Sequence, residues 1–78
     1  MNGVATGVWE CEPGSFEVPA RENTESVYIL SGVGSLTDME SGEEREIRAG
    51  SVAVLEKGSS VKWCVREKLT KFYVIVDA

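Results

Sequence analysis

Three observations predict an all-β fold. Apolar residues recur at two-residue spacing in short runs. No stretch sustains a helical period. Gly, Pro, Asn or Ser interrupts the runs at close intervals. Eight short antiparallel strands are expected, over residues 6–12, 14–19, 25–31, 33–38, 43–48, 51–55, 60–66 and 70–76.

Each segment has a local reason. The first, 6–12, ends at Pro13-Gly14, and the second, 14–19, stops before Arg21-Glu22-Asn23. In 25–31, Glu25, Val27 and Ile29 share one face, and Tyr28 and Leu30 the other. Apolar residues on both faces predict a central strand buried on both sides. Gly32 separates it from 33–38. The GxG of Gly32-Val33-Gly34 is followed by no helix, so it reads as a strand turn and not a nucleotide loop. Glu40-Ser41-Gly42 is the clearest hairpin turn and leads into 43–48. Gly50 and Lys57-Gly58 bracket 51–55. In 60–66, Val61, Trp63 and Val65 point one way, toward the core. Ser60, Lys62, Cys64 and Arg66 point the other. Glu67-Lys68 separates this segment from 70–76.

With 78 residues the chain is read as one small domain, 1–78. A core of this size is marginal, and oligomerisation is the expected extra source of stability. The chain contains no histidine, which removes imidazole ligands, imidazole bases and Ser-His-Asp or Cys-His pairs. The net charge of −5 argues against nucleic acid as a partner. The charge is uneven. Residues 1–56 carry eleven acids and three bases, and 57–78 carry two acids and five bases. Glu43, Glu44 and Glu46 fit neither a calcium loop nor a glycosidase pair and read as a solvated face. Ser59-Ser60 lacks a base partner. No apolar run is long enough for a membrane span, and Met1-Asn2-Gly3-Val4 lacks the basic start of a signal peptide. A cytoplasmic location is expected. Cys11 and Cys64 are either reduced or joined, and their spacing is no zinc pattern.

Three blocks and a tail then carry a resemblance. Gly7 to Phe16 reads GVWECEPGSF, Glu25 to Gly32 reads ESVYILSG, and Ala49 to Leu55 reads AGSVAVL, followed by Gly58 and Trp63. Lys71-Phe72-Tyr73-Val74-Ile75 fits a last strand. Over about residues 7–76 the chain resembles the cupin superfamily, in particular small single-domain cupins related to ureidoglycine aminohydrolase. The resemblance implies a jelly-roll β-barrel or sandwich. Many cupins hold a metal in the barrel with three His and one Glu. Laid onto that pattern, Glu25 falls at the glutamate ligand. The histidine positions fall near Pro19 and Arg21, or Val18 and Ala20, and on Val61 and Phe72. None of these ligates, so no metal and no cofactor is expected.

The resemblance thus implies a metal-free barrel whose lumen is lined by Phe16, Val18, Val27, Ile29, Val61, Trp63 and Phe72. Glu25 and Arg21 would form its polar end. The pair either orients a small polar metabolite or simply meets water at the barrel mouth. Trp63 is a ligand wall or core filling, and Trp9 is core or dimer interface. A metal-independent enzyme would use Glu25 as base, with Tyr28 or Lys62 as acid. A third reading is a structural module that only dimerises. A homodimer is expected in any case, because a short open barrel leaves edge strands to cover.

Overall fold

The computed structural model describes residues 3–76. Met1 and Asn2 of the N-terminal stretch considered above, and Asp77 and Ala78, lie outside it. Every described element is β, and all strand pairs are antiparallel. The strands are β1 Val4–Cys11, β2 Gly14–Val18, β3 Thr24–Asp38, β4 Glu44–Arg48, β5 Val52–Leu55 and β6 Val61–Val76.

Six strands replace the expected eight because two of the expected breaks do not break. Gly32 stays inside β3 at φ 100°, where register shifts mark a bulged bend. A side chain cannot follow it there. A Cβ on Gly32 would lie 2.3 Å from the Lys68 carbonyl oxygen and 2.6 Å from the Leu69 Cα, both of them backbone. Glu67-Lys68 likewise continues β6 past the same bend. The polar pair reads as a turn in the sequence, but it sits where the strand turns its face toward water.

β3 and β6 therefore run through two sheets. Their outer halves pair with β1 and β5, giving the order β1-β6-β3-β5. Their inner halves pair with β2 and β4, giving β2-β6-β3-β4. We call these the first and second layers. They face each other as a sandwich folded at Gly32, the jelly-roll arrangement expected.

The core lies between the layers. Val27 and Ile29 of the first layer meet Leu36, Ile47, Val61, Trp63 and Val65 of the second, and Leu69, Ala53 and Leu55 complete it. The alternation read in 60–66 thus holds. The hairpin turn does as well. Asp38 Oδ1 accepts from the amides of Glu40 and Ser41, and Gly42 donates to the Asp38 carbonyl. The end away from the bend is the mouth. There the β2–β3 loop crosses toward the β5–β6 loop: the Arg21 amide donates to the Ser59 carbonyl, and the Gly58 amide to that of Arg21.

One expectation needs correction. The outer side of β3 is not covered within the chain. Tyr28 and Leu30 are both 45% exposed. Among the described residues no helix is long and apolar enough to cross a membrane.

A candidate site built on Glu25, Lys71 and the mouth

Alternation turns Glu25 inward with Val27 and Ile29, and it is only 5% exposed. Each of its carboxylate oxygens is taken by a cation. Arg21 Nη2 lies 2.8 Å from Oε1, and Lys71 Nζ lies 2.9 Å from Oε2. The expected Arg21–Glu25 pair is therefore present. Arg21 Nη2 also donates to Asn23 Oδ1 at 3.3 Å, while its buried Nε has no partner.

Lys71 is the site residue that the sequence reading missed. It sits opposite Trp9 on β1 and Ile29 on β3, so it faces the interior and is 8% exposed. Its ammonium lies 4.9 Å from the Trp9 ring centre and 4.7 Å from that of Trp63 on the opposite layer. Two cations on one carboxylate leave a surplus positive charge, and the ring faces supply the negative potential that offsets it. Trp9 belongs to the interior: it meets Phe16 edge-on at 6.0 Å, and Phe16 stacks on Trp63 at 6.3 Å. Gly7 makes room for the neighbouring Tyr73, since a Cβ there would lie 2.6 Å from the Tyr73 hydroxyl oxygen.

The other expected lumen residues divide. Val27, Ile29, Val61 and Trp63 are buried in the core, and Phe16 and Val18 pack against it. Phe72 does not join them. It is 41% exposed on the outer face, and Lys71 holds the inward position instead. Trp63 fills space between the layers. The acids considered as partners for Glu25 point away from it: Tyr28 lies on the outer face of the first layer and Lys62 on that of the second. Cys11 and Cys64 are both free thiols.

Glu25 lines neither of two clefts that open on the described surface. One, of about 240 Å³, lies between the layers at the mouth. Its floor is Leu36, Ala53, Leu55 and Val61, and Asp38, Glu43, Arg45, Glu56 and Ser59 rim it. Val61 is the expected site residue it exposes. The other is an open depression along Gly3, Val4, Ala5, Glu22, Asn23 and Ile75.

These features can be set beside known proteins. A family model described as an EutQ-like cupin domain matches residues 2–73. The chain belongs to that cupin family. A DUF861 family protein from Thermotoga maritima is 30% identical, with a TM-score of 0.78, covering 86% of this chain and 74% of its own. The EutQ protein of Clostridium difficile is 20% identical, with a TM-score of 0.82 over 96% of this chain and 53% of its own. Ectoine synthase from P. lautus is 18% identical, with a TM-score of 0.88 over 97% of this chain and 55% of its own. The last two share the fold, and this cupin spans little more than half their length. No curated protein matches the chain.

The metal that many cupins carry does not fit these residues. Both Glu25 oxygens are engaged by internal cations. Val61 and Val18 offer only carbon, and Phe72 faces outward. Among the described residues no three His, Cys, Asp or Glu gather closely enough to hold a metal ion. What the arrangement does chemically is tie the β2–β3 loop, β3 and β6 together at one buried carboxylate.

Proposed function

We propose that this cupin is a metal-free binding module that takes a small polar metabolite at the barrel mouth, not in the lumen beside Glu25. The observation that carries this is the position of Lys71. Its side chain fills the interior between Glu25 and the two tryptophans, while the cleft over Leu36, Ala53, Leu55 and Val61 stays open. Three acids and one arginine rim an apolar floor, which suits a compact molecule with an amino group and a short apolar body. The two free thiols fit the reducing cytoplasm. The acidic balance favours neither nucleic acid nor an anionic membrane surface as a partner.

A methyl-labelled NMR titration with a panel of small amines, amino alcohols and polyols tests the reading. At least one amine should shift the methyls of Leu36, Leu55 and Val61, and Glu56→Gln should weaken it. If no compound moves those methyls up to millimolar concentration, mouth binding is wrong.

A second reading is a structural module whose only work is association. The filled interior around Glu25 and Trp63 favours it, because a closed lumen gives a ligand no room there.

A further inference from the structure

Arg21 brings three anchors of the β2–β3 loop together in one residue. Its amide donates to the Ser59 carbonyl at 3.0 Å, and its carbonyl accepts from the Gly58 amide at 2.8 Å. Its guanidinium lies 2.8 Å from Glu25 Oε1. The partners of Arg21 stand on opposite sides of it. Asn23, bonded to Nη2, lines the depression that runs along Gly3 and Val4, and Ser59 lines the mouth cleft.

Beneath this loop an inward row of the first layer runs Ala5–Ile75–Glu25–Leu55 in register. Both ends of the row are already open. Ala5 and Ile75 line the depression, and Leu55 lines the mouth cleft. Glu25 stands between them and lines neither, because the Arg21 guanidinium lies on its carboxylate. Arg21 is thus the partition between two clefts that share one floor.

The partition is built to come away. Lys71 holds Glu25 Oε2 from the middle of β6, with two tryptophan rings against its ammonium, so Glu25 stays paired without Arg21. Of the two cations Arg21 is the surplus one, and it sits on a loop. Its departure leaves the neutral Glu25–Lys71 pair inside. It also returns the buried, unpartnered Nε to water, which offsets part of the ion pair that is lost.

We propose that the Arg21 loop is a strap that opens over Glu25, joins the two clefts into one cavity and frees one carboxylate oxygen inside it. Closing the strap fixes the rim of the mouth cleft as well. Ser59, held by the Arg21 amide, donates both its amide and its hydroxyl to the Glu56 carbonyl. The strap therefore controls access to the interior, which goes beyond binding at the mouth and does not depend on it.

Native-state hydrogen exchange on the full chain, in urea below the unfolding transition, tests the proposal. The Ile29 amide, bonded to the Ser51 carbonyl in the body of the sandwich, is the reference. The Arg21 and Gly58 amides should exchange roughly 10-fold faster or more, and their rates should not respond to urea, as local opening requires. Arg21→Gln should speed Gly58 exchange by a further factor of about 10 or more. Methyl relaxation dispersion on the wild type reads the joining of the clefts. Ile75 and Leu55, one in each cleft, should share a single exchange rate, and the buried Ile47 of the second layer should show none. Arg21 and Gly58 amides that follow the urea dependence of Ile29 overturn the strap. So does a folded Arg21→Gln chain with unchanged Gly58 exchange, and unrelated rates at Ile75 and Leu55 overturn the joined cavity. The wild-type measurements need no variant, so a variant that fails to fold leaves the test intact. No ligand is involved, so failure here is separate from failure of the mouth-binding reading.

Discussion

The two layers share two of their strands and yet distribute charge in opposite ways. The second layer is conventional, with Trp63, Val65, Leu36 and Ile47 inside and Glu17, Lys62, Glu44, Glu46 and Arg66 outside. The first layer differs on both sides. Its interior side holds Glu25 and Lys71 among the core residues Val27, Ile29, Ala53, Leu55 and Leu69, and its outer side exposes Phe72, Tyr28 and five valines. A strand's alternation therefore says which residues share a face but not which face is the core. The buried ions have a physical logic. Glu25 pairs with both cations, and the ring faces of Trp9 and Trp63 offset the surplus positive charge, so the group can be buried. The outer side leaves Tyr28, Phe72 and the valines at the surface.

Substitutions can break that contrast, and the largest loss is expected at the buried ions of the first layer. Glu25→Gln leaves Arg21 and Lys71 buried without their counter-charge, at a cost of about 3–5 kcal/mol. Domains of this kind have only about 5–15 kcal/mol of stability, so urea denaturation should show a much lowered midpoint or an unfolded chain. Retention of the wild-type midpoint would mean that the triad contributes nothing. Next comes the bend that joins the layers. Gly32→Ala forces a Cβ into the Lys68 and Leu69 backbone and should cost about 2–4 kcal/mol, read as a drop in Tm.

Lys71→Met should be milder, about 1–3 kcal/mol, because Glu25 keeps Arg21 while the contacts to two tryptophan faces lose their charge. Its indole fluorescence should change with it. A loss equal to that of Glu25→Gln would show that Arg21 alone cannot hold the carboxylate. The smallest effect belongs to the conventional layer. Glu46→Ala removes the exposed pair with Arg66 and should cost no more than about 1 kcal/mol, a difference that disappears in high salt. A larger, salt-insensitive loss would remove the distinction between the layers.

Much of this architecture could be read in the sequence. The all-β class, the Glu40-Ser41-Gly42 turn, the inward set Val61, Trp63 and Val65, and the Arg21–Glu25 pair all have local signals of alternation, turn chemistry or short spacing. The misreadings share one cause. The cupin pattern lays its last-strand ligand position on Phe72 and so points that residue inward, whereas Lys71, one position earlier, holds the inward place. Counting on from Val61, Trp63 and Val65 puts Lys71 inward, but only if β6 is one continuous strand. Glu67-Lys68 looks like its end, and a bend and a break carry the same polar signature. The mouth cleft was illegible for another reason. Its floor comes from β3, β5 and β6, and no short-range spacing brings Leu36, Ala53 and Val61 together.

The position of β6 also sets the order of events during synthesis. It is the strand on which β1, β2 and β3 all pair, and it is the last of the six along the chain. At ~5–20 residues per second, β1 and β2 leave the ribosome several seconds before their only partner exists. Until then β3 has only the short β4 and β5 to pair with, and both faces of the future first layer meet water. The apolar side chains of β1 and β2, Val4, Val8, Trp9, Phe16 and Val18, stay unpaired for that interval. Chaperone demand, and loss to aggregation during rapid expression, should therefore depend on when β6 emerges more than on the stability of the finished barrel.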